Sequence, residues 1–249
     1  MKKNNELIKR RKRKQRYRRG ILLLFILSII TAVLLLKLPY FNINQIQVNN
    51  NKKLNKQEVI TVSKLKIGEN IFISNLNKIK NNLLTNPYIS SVTVKRKLPS
   101  TVVINIQERT PYFFIQKDKD IILMDSDGYA LEKTTAVPDN KLIRVDGIDI
   151  NSVKVGENLK DSTKLNILHE FTKYENKTDT VITSIDVSLA ADIKVNFKDS
   201  VLVKIGTVDN LRKKLSDAVD IINQTELKTK KGYIDMSYNG SPVYAVDNP

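Results

Sequence analysis

The sequence of 249 residues predicts an α+β protein that consists of a single transmembrane helix, a small βααββ domain and a larger β-rich domain with two helices. Three observations lead to this prediction. A dense basic run meets an apolar run within residues 10–41, and amphipathic segments then follow in the order strand, helix, helix, strand, strand. From Tyr112 onward, short segments of alternating apolar and polar residues dominate.

The basic run is a local tail and does not reflect the composition of the whole chain. Residues 1–20 contain eleven Lys or Arg and a single acid, Glu6, and so carry +10 of the formal net charge of +16. Lys and Arg beside a membrane span mark its cytoplasmic end and attract anionic lipid. A nucleic-acid partner is not expected, because Tyr17 is the only aromatic residue in this tail.

The apolar run predicts a transmembrane helix over residues 21–38. From Ile21 to Leu36 it is interrupted only by Ser28 and Thr31. Residues 37–42 contain none of the small residues that signal peptidase requires, so we expect an uncleaved anchor with residues from about 39 onward outside the cell. The alternative, a buried core helix, would need a partner helix of similar character, and the sequence has none.

Residues 39–111 predict the small domain. Residues 42–48 form its first strand, Asn55 caps the first helix, and a turn at Gly68 follows. The second helix, which Ser74 can cap, places its apolar residues on one face: Leu76, Ile79, Leu83 and Leu84. Two alternating strands around Pro99 then form a hairpin, in which the apolar positions are Val92, Val94, Val102, Ile104 and Ile106.

Residues 112–246 predict the β-rich domain. Two strands flank an Asp127-Gly128 turn, and a helix follows over residues 161–174. Three strands then lead to a helix whose apolar face comprises Leu211, Leu215, Ala218, Val219 and Ile222. The segment ends with a strand over residues 232–238, a turn at Asn239-Gly240 and a strand over 242–246, and residues 247–249 form a short tail.

The residues that catalysis and metal binding require are scarce. The chain has no cysteine and one histidine, His169, in a predicted helix, so we expect no catalytic residue, metal, cofactor or small-molecule substrate. Asp125 could begin a calcium loop, but the twelfth position is Ala136 and not Glu, and a hairpin turn explains the Asp-Gly pair. A carboxylate-based active site stays open as an alternative among scattered acids: Asp146, Asp149, Asp186 and Asp192.

Three stretches resemble one family of bacterial proteins. They are "NPYISSVTVKRKLPSTVVINIQERTP" (86–111), "LMDSDGYALE" (123–132) and "GYIDMSYNGSPVYAV" (232–246). With the basic tail and the span, they resemble the cell-division proteins FtsQ and DivIB. The resemblance implies that residues 39–111 form a POTRA domain. It also implies a non-enzymatic, single-pass scaffold at the division septum, with DivIC (FtsB-like) and FtsL-like single-span proteins as partners.

The resemblance also implies a partner-binding site. In this family the final strand of the β domain accepts a strand of the partner, a mode of binding that uses backbone hydrogen bonds. This carries over to Tyr233, Ile234, Met236 and Tyr238, with Val243 and Tyr244 in the strand that follows. Ser237 stands where the family often has a basic residue.

Two other functions remain as alternatives at this point. One is a membrane-anchored cell-wall enzyme that uses an unrecognised carboxylate site. The other is a POTRA-type module that handles passing polypeptides, which the membrane anchor disfavours.

Overall fold

The computed structural model describes residues 2–139, 141–174, 181–198, 200–238 and 240–247. It divides the chain into two compact units, residues 1–84 with 91–107 and residues 85–90 with 108–249. Asn239 of the predicted Asn239-Gly240 turn and residues 248–249 of the predicted tail lie outside the described residues. The predicted fold class is confirmed: an apolar N-terminal helix precedes a small mixed domain and a β-rich domain with two α-helices.

The N-terminal helix, α1, runs without a break over Lys2–Lys37. Its part from Arg13 to Lys37 is long and apolar enough to cross a membrane, with a mean hydropathy of 2.6 in its most apolar window. None of that window is buried against the rest of the chain. The apolar part of this segment, from Ile21 to Lys37, extends about 26 Å at 1.5 Å per residue, which is close to a hydrocarbon core of ~30 Å. Length and composition therefore make α1 a candidate membrane span.

The first unit contains the predicted order of elements after α1: β1 (Gln45–Asn49), α2 (Lys56–Ser63), α3 (Leu76–Leu83), β2 (Ile89–Lys97) and β3 (Thr101–Glu108). Its sheet has the strand order β1-β3-β2, and β1 is parallel to β3. The alternating residues Val102, Ile104 and Ile106 of the central strand are fully buried, as the hairpin pattern predicts. Burial of each such side chain contributes roughly 1.5–3 kcal/mol to folding.

The predicted Ser74 cap and the predicted Leu84 contact of α3 are both corrected. Asn75 is the cap, because its extended backbone lets the side-chain oxygen accept a hydrogen bond from Lys78 N at 3.0 Å. The hydroxyl of Ser74 is buried and has no hydrogen-bond partner within the described residues. Leu84 follows the last residue of α3 and is exposed, so it does not belong to the buried face.

The second unit contains a nine-stranded sheet with the order β12-β11-β10-β9-β8-β7-β4-β5-β6. The strands are β4 (Pro111–Lys117), β5 (Asp120–Asp125), β6 (Ala130–Thr134), β7 (Ile143–Asp146), β8 (Ile182–Asp186), β9 (Ile193–Phe197), β10 (Val201–Gly206), β11 (Gly232–Asp235) and β12 (Val243–Val246). β4 is parallel to β7, β7 to β8, and β10 to β11, whereas the remaining neighbours are antiparallel.

Two helices share a core with one face of this sheet. α4 (Ser162–Thr172) contributes Leu168 and Phe171, and α5 (Leu211–Gln224) contributes all five apolar residues predicted for it. α4 begins at Ser162, one residue after the predicted start. Asp161 caps α4 by accepting hydrogen bonds from Thr163 N and Lys164 N at 3.1 Å each.

The β5–β6 connection is the predicted Asp-Gly turn. Gly128 has a φ of +72°, and Asp125 Oδ1 accepts hydrogen bonds from Asp127 N at 2.9 Å and Tyr129 N at 2.8 Å. Arg109 Nη1 lies 2.6 Å from Asp125 Oδ2, and its guanidinium lies 4.0 Å from the centroid of the Tyr129 ring. The carboxylate that could have opened a calcium loop is therefore used to hold the turn.

Candidate functional site

The candidate site is the sheet edge formed by β12, because β11 already has a neighbour on each side. β11 pairs with β10 in parallel and with β12 in antiparallel orientation. A further strand cannot be added to β11 without displacing β12. The open edge therefore contains Val243 and Tyr244, whereas Tyr233 and Ile234 lie one strand further in.

The outward hydrogen-bonding groups of β12 follow from its register. Asp247 N donates to Lys231 O at 2.9 Å, so the backbone of Asp247 faces β11. Backbone groups alternate in direction along an antiparallel pair, so every second residue faces β11. The N–H and C=O groups of Tyr244 and Val246 consequently point away from the sheet, at the spacing that an added strand would need.

Exposed side chains flank these backbone groups on both faces of the sheet. Tyr244 lies opposite Ile234 and thus on the core-facing side, yet it is 49% exposed because it is at the edge. Tyr233 (37% exposed) and Val243 (51% exposed) lie on the other face. A partner strand at this edge would meet Tyr244 on one side and Val243 on the other, which allows alternate side chains to confer specificity.

The remaining predicted residues lie elsewhere. The predicted strand over residues 232–238 ends at Asp235, so Met236 and Tyr238 follow it. Ile234 and Met236 are buried, and their side chains belong to the core instead of an exposed surface. Tyr238 is half-exposed, and its hydroxyl donates to Ser241 O at 3.2 Å within the β11–β12 connection.

Ser237 participates in a small polar cluster at the end of β11. The hydroxyl and the N–H of Ser237 donate to Asp235 Oδ1 at 2.7 and 3.1 Å. Lys204 Nζ lies 3.6 Å from Asp235 Oδ2 and 5.2 Å from the centroid of the Tyr233 ring. The hydrogen bonds from Ser237 and the charge of Lys204 lower the pKa of Asp235. Ser237 thus supports a carboxylate that already has a basic partner in Lys204.

Sequence reasoning missed two residues of this site. The outward backbone of Val246 depends on the register with β11, which no local pattern reveals. Gly232 permits the close approach of β12, since a Cβ atom there would lie 2.2 Å from Ala245 O. The sequence did contain one signal of this close approach, because a glycine within a strand often marks a place where another backbone comes near.

The described residues around this edge include no metal centre. Within the part of the chain that the structure describes, no group of three or more His, Asp or Glu side chains could hold a metal ion. His169 lies on α4 with Nε2 3.8 Å from Asp127 Oδ1, and no nucleophile is paired with it in the described hydrogen bonds.

Two models of known protein families together match nearly all of the chain that follows the N-terminal helix. A family model described as POTRA domain, FtsQ-type, matches residues 41–109. A second, described as cell division protein FtsQ/DivIB, C-terminal, matches residues 113–237 and so ends before β12.

Several relatives are similar over most of their length. The cell division protein DivIB of Clostridium acetobutylicum is 40% identical over 219 residues, which cover 87% of this chain and 88% of the relative. DivIB of Clostridium botulinum strain Loch Maree is 36% identical over 248 residues, 98% of this chain and 96% of the relative. A solved extracytoplasmic domain of DivIB from Geobacillus stearothermophilus aligns over 48% of this chain and 99% of that domain. Its TM-score is 0.32 and its sequence identity is 14%, and these values do not by themselves establish a shared fold. On the family matches and the two relatives, the chain belongs to the FtsQ/DivIB family of bacterial cell division proteins.

Proposed function

We propose that this chain is a non-enzymatic, single-pass membrane scaffold of the division machinery that binds other anchored division proteins through the open edge of β12. The observation that carries the proposal is the pair of outward backbone positions, Tyr244 and Val246, at the end of a nine-stranded sheet. An added strand would satisfy these groups, and edges of this kind are a recurrent site of peptide recognition.

The charge of the chain supports a cytoplasmic N-terminus. Eleven Lys or Arg precede the apolar part of α1, and an excess of these residues marks the cytoplasmic side of a span. The two domains after α1 then lie outside the cell. The partners we propose are DivIC (FtsB-like) and FtsL-like proteins, which cross the same membrane once and meet this chain at the septum.

The environment of the acidic residues supports binding in preference to catalysis. Each of the four scattered acids has a local structural role. Asp146 pairs with Arg144 at 3.1 Å, Asp192 pairs with Lys194 at 2.8 Å, and Asp149 and Asp186 accept hydrogen bonds from residues two positions later. A carboxylate-based glycoside hydrolase needs two carboxylates held across a cleft, and these side chains instead close turns and pair along strands.

The test removes one backbone donor from the open edge. Proline at position 244 eliminates an outward N–H and leaves the β11–β12 hydrogen bonds in place, whereas alanine removes only the ring. We expect Tyr244→Pro to weaken binding of the DivIC-like partner at least about tenfold, an effect of ~1.4 kcal/mol, and Tyr244→Ala to weaken it less. Binding is measured with the full chain and its partner in detergent or nanodiscs.

The control is that both variants retain the hydrogen-exchange protection of β11. Equal affinity of the wild-type chain and the folded Tyr244→Pro variant would refute strand addition at β12. An equal loss of affinity in Tyr244→Ala and Tyr244→Pro would show that the aromatic ring, which both variants lack, dominates over the backbone N–H.

A further inference from the structure

The C-terminal end of α1 is joined to the first domain by hydrogen bonds. A helix leaves its last carbonyl groups without partners, which is costly near a membrane. Here Leu38 N donates to Leu34 O at 2.9 Å, and the buried side-chain amide of Asn70 donates to the carbonyls of Leu35 at 2.9 Å and Leu36 at 3.1 Å. A loop of the domain thus completes the last turn of the helix.

The chain that follows α1 is tied to the same loop. Ile43 N donates to Glu69 O at 2.9 Å, Gly68 N to Ile43 O at 2.8 Å, and Ile71 N to Phe41 O at 2.9 Å. Residues 38–44 therefore do not behave as a free linker. The loop of residues 64–74 lies where the helix leaves the membrane.

The β2–β3 turn belongs to the same end of the domain. Ser100 O accepts a hydrogen bond from Asn44 N at 2.9 Å. Arg96, near the end of β2, donates to Ile71 O at 2.6 Å and Ser74 O at 2.8 Å. We call residues 64–74 and 97–100 together the helix-proximal end of the first domain.

Exposed aliphatic side chains are concentrated at this end. Between residues 42 and 107, four large aliphatic side chains are exposed, and three of them lie in the helix-proximal end: Ile67 (69%), Ile73 (61%) and Leu98 (57%). The fourth, Leu84 (37%), follows α3, whose other end adjoins the loop. Grouped exposed apolar residues mark a contact surface, and the nearest apolar phase here is the bilayer that α1 enters.

The charges beside these side chains suit a lipid surface. Lys64, Lys66 and Lys97 are exposed in the helix-proximal end, and Glu69 is the acid among them. Lysine can bury its aliphatic stem at the membrane boundary while the ammonium group meets anionic phosphates.

We propose that the helix-proximal end rests on the outer surface of the bilayer, with Ile67, Ile73 and Leu98 inserted at the level of the headgroups and Lys64, Lys66 and Lys97 against lipid phosphates. The proposal rests on the single-span anchor proposed above. The helix-proximal end then holds the first domain against the membrane at a defined orientation, through three apolar side chains, three lysines and the Asn70 amide.

The absence of cysteine from the sequence allows a direct test. Ile67→Cys, Ile73→Cys, Leu98→Cys and the control Leu84→Cys are each labelled with an environment-sensitive fluorophore in the full chain. The chains are placed in nanodiscs of phosphatidylglycerol and phosphatidylcholine that include a lipid with a nitroxide at the headgroup. Because interfacial groups sit ~5–10 Å into the boundary, we expect quenching at the first three positions to be at least about twofold stronger than at position 84.

Equal quenching at all four positions would overturn the proposal. Failure of the full chain to insert into nanodiscs would overturn the single-span anchor, and this proposal with it, so the two failures are distinguishable.

A second arm tests the lysines. We expect quenching at position 67 to be stronger in phosphatidylglycerol than in phosphatidylcholine alone, and this difference to disappear when Lys64, Lys66 and Lys97 are changed to Gln. Changing the same three residues to Arg, which keeps the charge, should preserve the difference. If quenching at position 67 changes neither with lipid charge nor with these substitutions, the proposed role of the lysines is overturned.

Discussion

Arg109 shows how one side chain organises the start of the second unit. Its guanidinium pairs with Asp125 and packs over the ring of Tyr129, while the backbone N–H of Arg109 donates to Tyr88 O at 2.8 Å. Asp125 is nearly buried, with 6% of its side chain exposed. Removing a carboxylate from water costs free energy, and here the ion pair with Arg109 and the hydrogen bonds from the N–H groups of the turn offset that cost. The stability of the buried Asp125 carboxylate therefore depends on Arg109.

We predict that Arg109→Ala lowers the free energy of unfolding of the second unit by about 3 kcal/mol, because Asp125 is left buried without a countercharge. Hydrogen exchange of the β5 and β6 amides measures this loss in the unit concerned. Lys133→Ala is the matched control, since its ion pair with Asp120 is about half-exposed on both sides and should contribute less than about 1 kcal/mol. Similar losses in the two variants would contradict this account of Arg109.

At the scale of elements, the position of β12 depends on the absence of a side chain in β11. A Cβ atom on Gly232 would lie 2.2 Å from Ala245 O and 2.5 Å from Leu227 Cδ2. The first contact is with the backbone, which cannot move aside without separating the two strands. Gly232 is therefore required for the edge that the proposed function uses.

We predict that Gly232→Ala separates β12 from β11 and reduces the exchange protection of the Ala245 N–H by at least about tenfold, which corresponds to ~1.4 kcal/mol. Binding of the DivIC-like partner should fall in parallel. Tyr233→Ala serves as the control, because the neighbouring side chain is exposed and its removal creates no clash. Full protection at Ala245 in the Gly232 variant would rule out this steric role.

Elements with a strong local pattern were predictable. The five apolar residues of α5 repeat at helical spacing, and all five are buried. The β2–β3 hairpin and the β5–β6 turn likewise combine alternation with Pro or Asp-Gly turn residues. β4 and β7 were not identified individually, because β4 contains the consecutive buried residues Phe113, Phe114 and Ile115 and β7 has only four residues.

The site was less predictable than the fold, for a physical reason. Which strand forms a sheet edge is decided by pairing between distant segments, and alternation within a strand contains no information about its neighbours. The segment over residues 232–246 was therefore identified as a strand pair, yet the sequence could not indicate that β11 is enclosed and β12 is open.

At the scale of the whole molecule, charge and hydropathy separate the chain into a basic tail, a span and the folded units. The tail carries +10, whereas the other 229 residues together carry +6. This asymmetry is the physical basis for the orientation proposed above, because positively charged segments are retained on the cytoplasmic side.

We predict that the two ends of the span lie on opposite sides of the membrane. Asn5→Cys and Leu189→Cys each introduce a single thiol, and Leu189 is 65% exposed. A membrane-impermeant maleimide should label the thiol at position 189 in intact cells. It should label the thiol at position 5 only after the cells are lysed. Labelling of position 5 in intact cells would show that the orientation is inverted.

The place of β12 in the chain also sets an order of events during biosynthesis. Every other strand of the nine-stranded sheet precedes it, so a copy still crossing the membrane can assemble the sheet only as far as β11. In such a copy the outermost strand is β11, which lacks the backbone positions of Tyr244 and Val246. Under the proposed function, a partner that adds its strand to β12 can therefore dock on a molecule only after translocation has delivered residues 243–246.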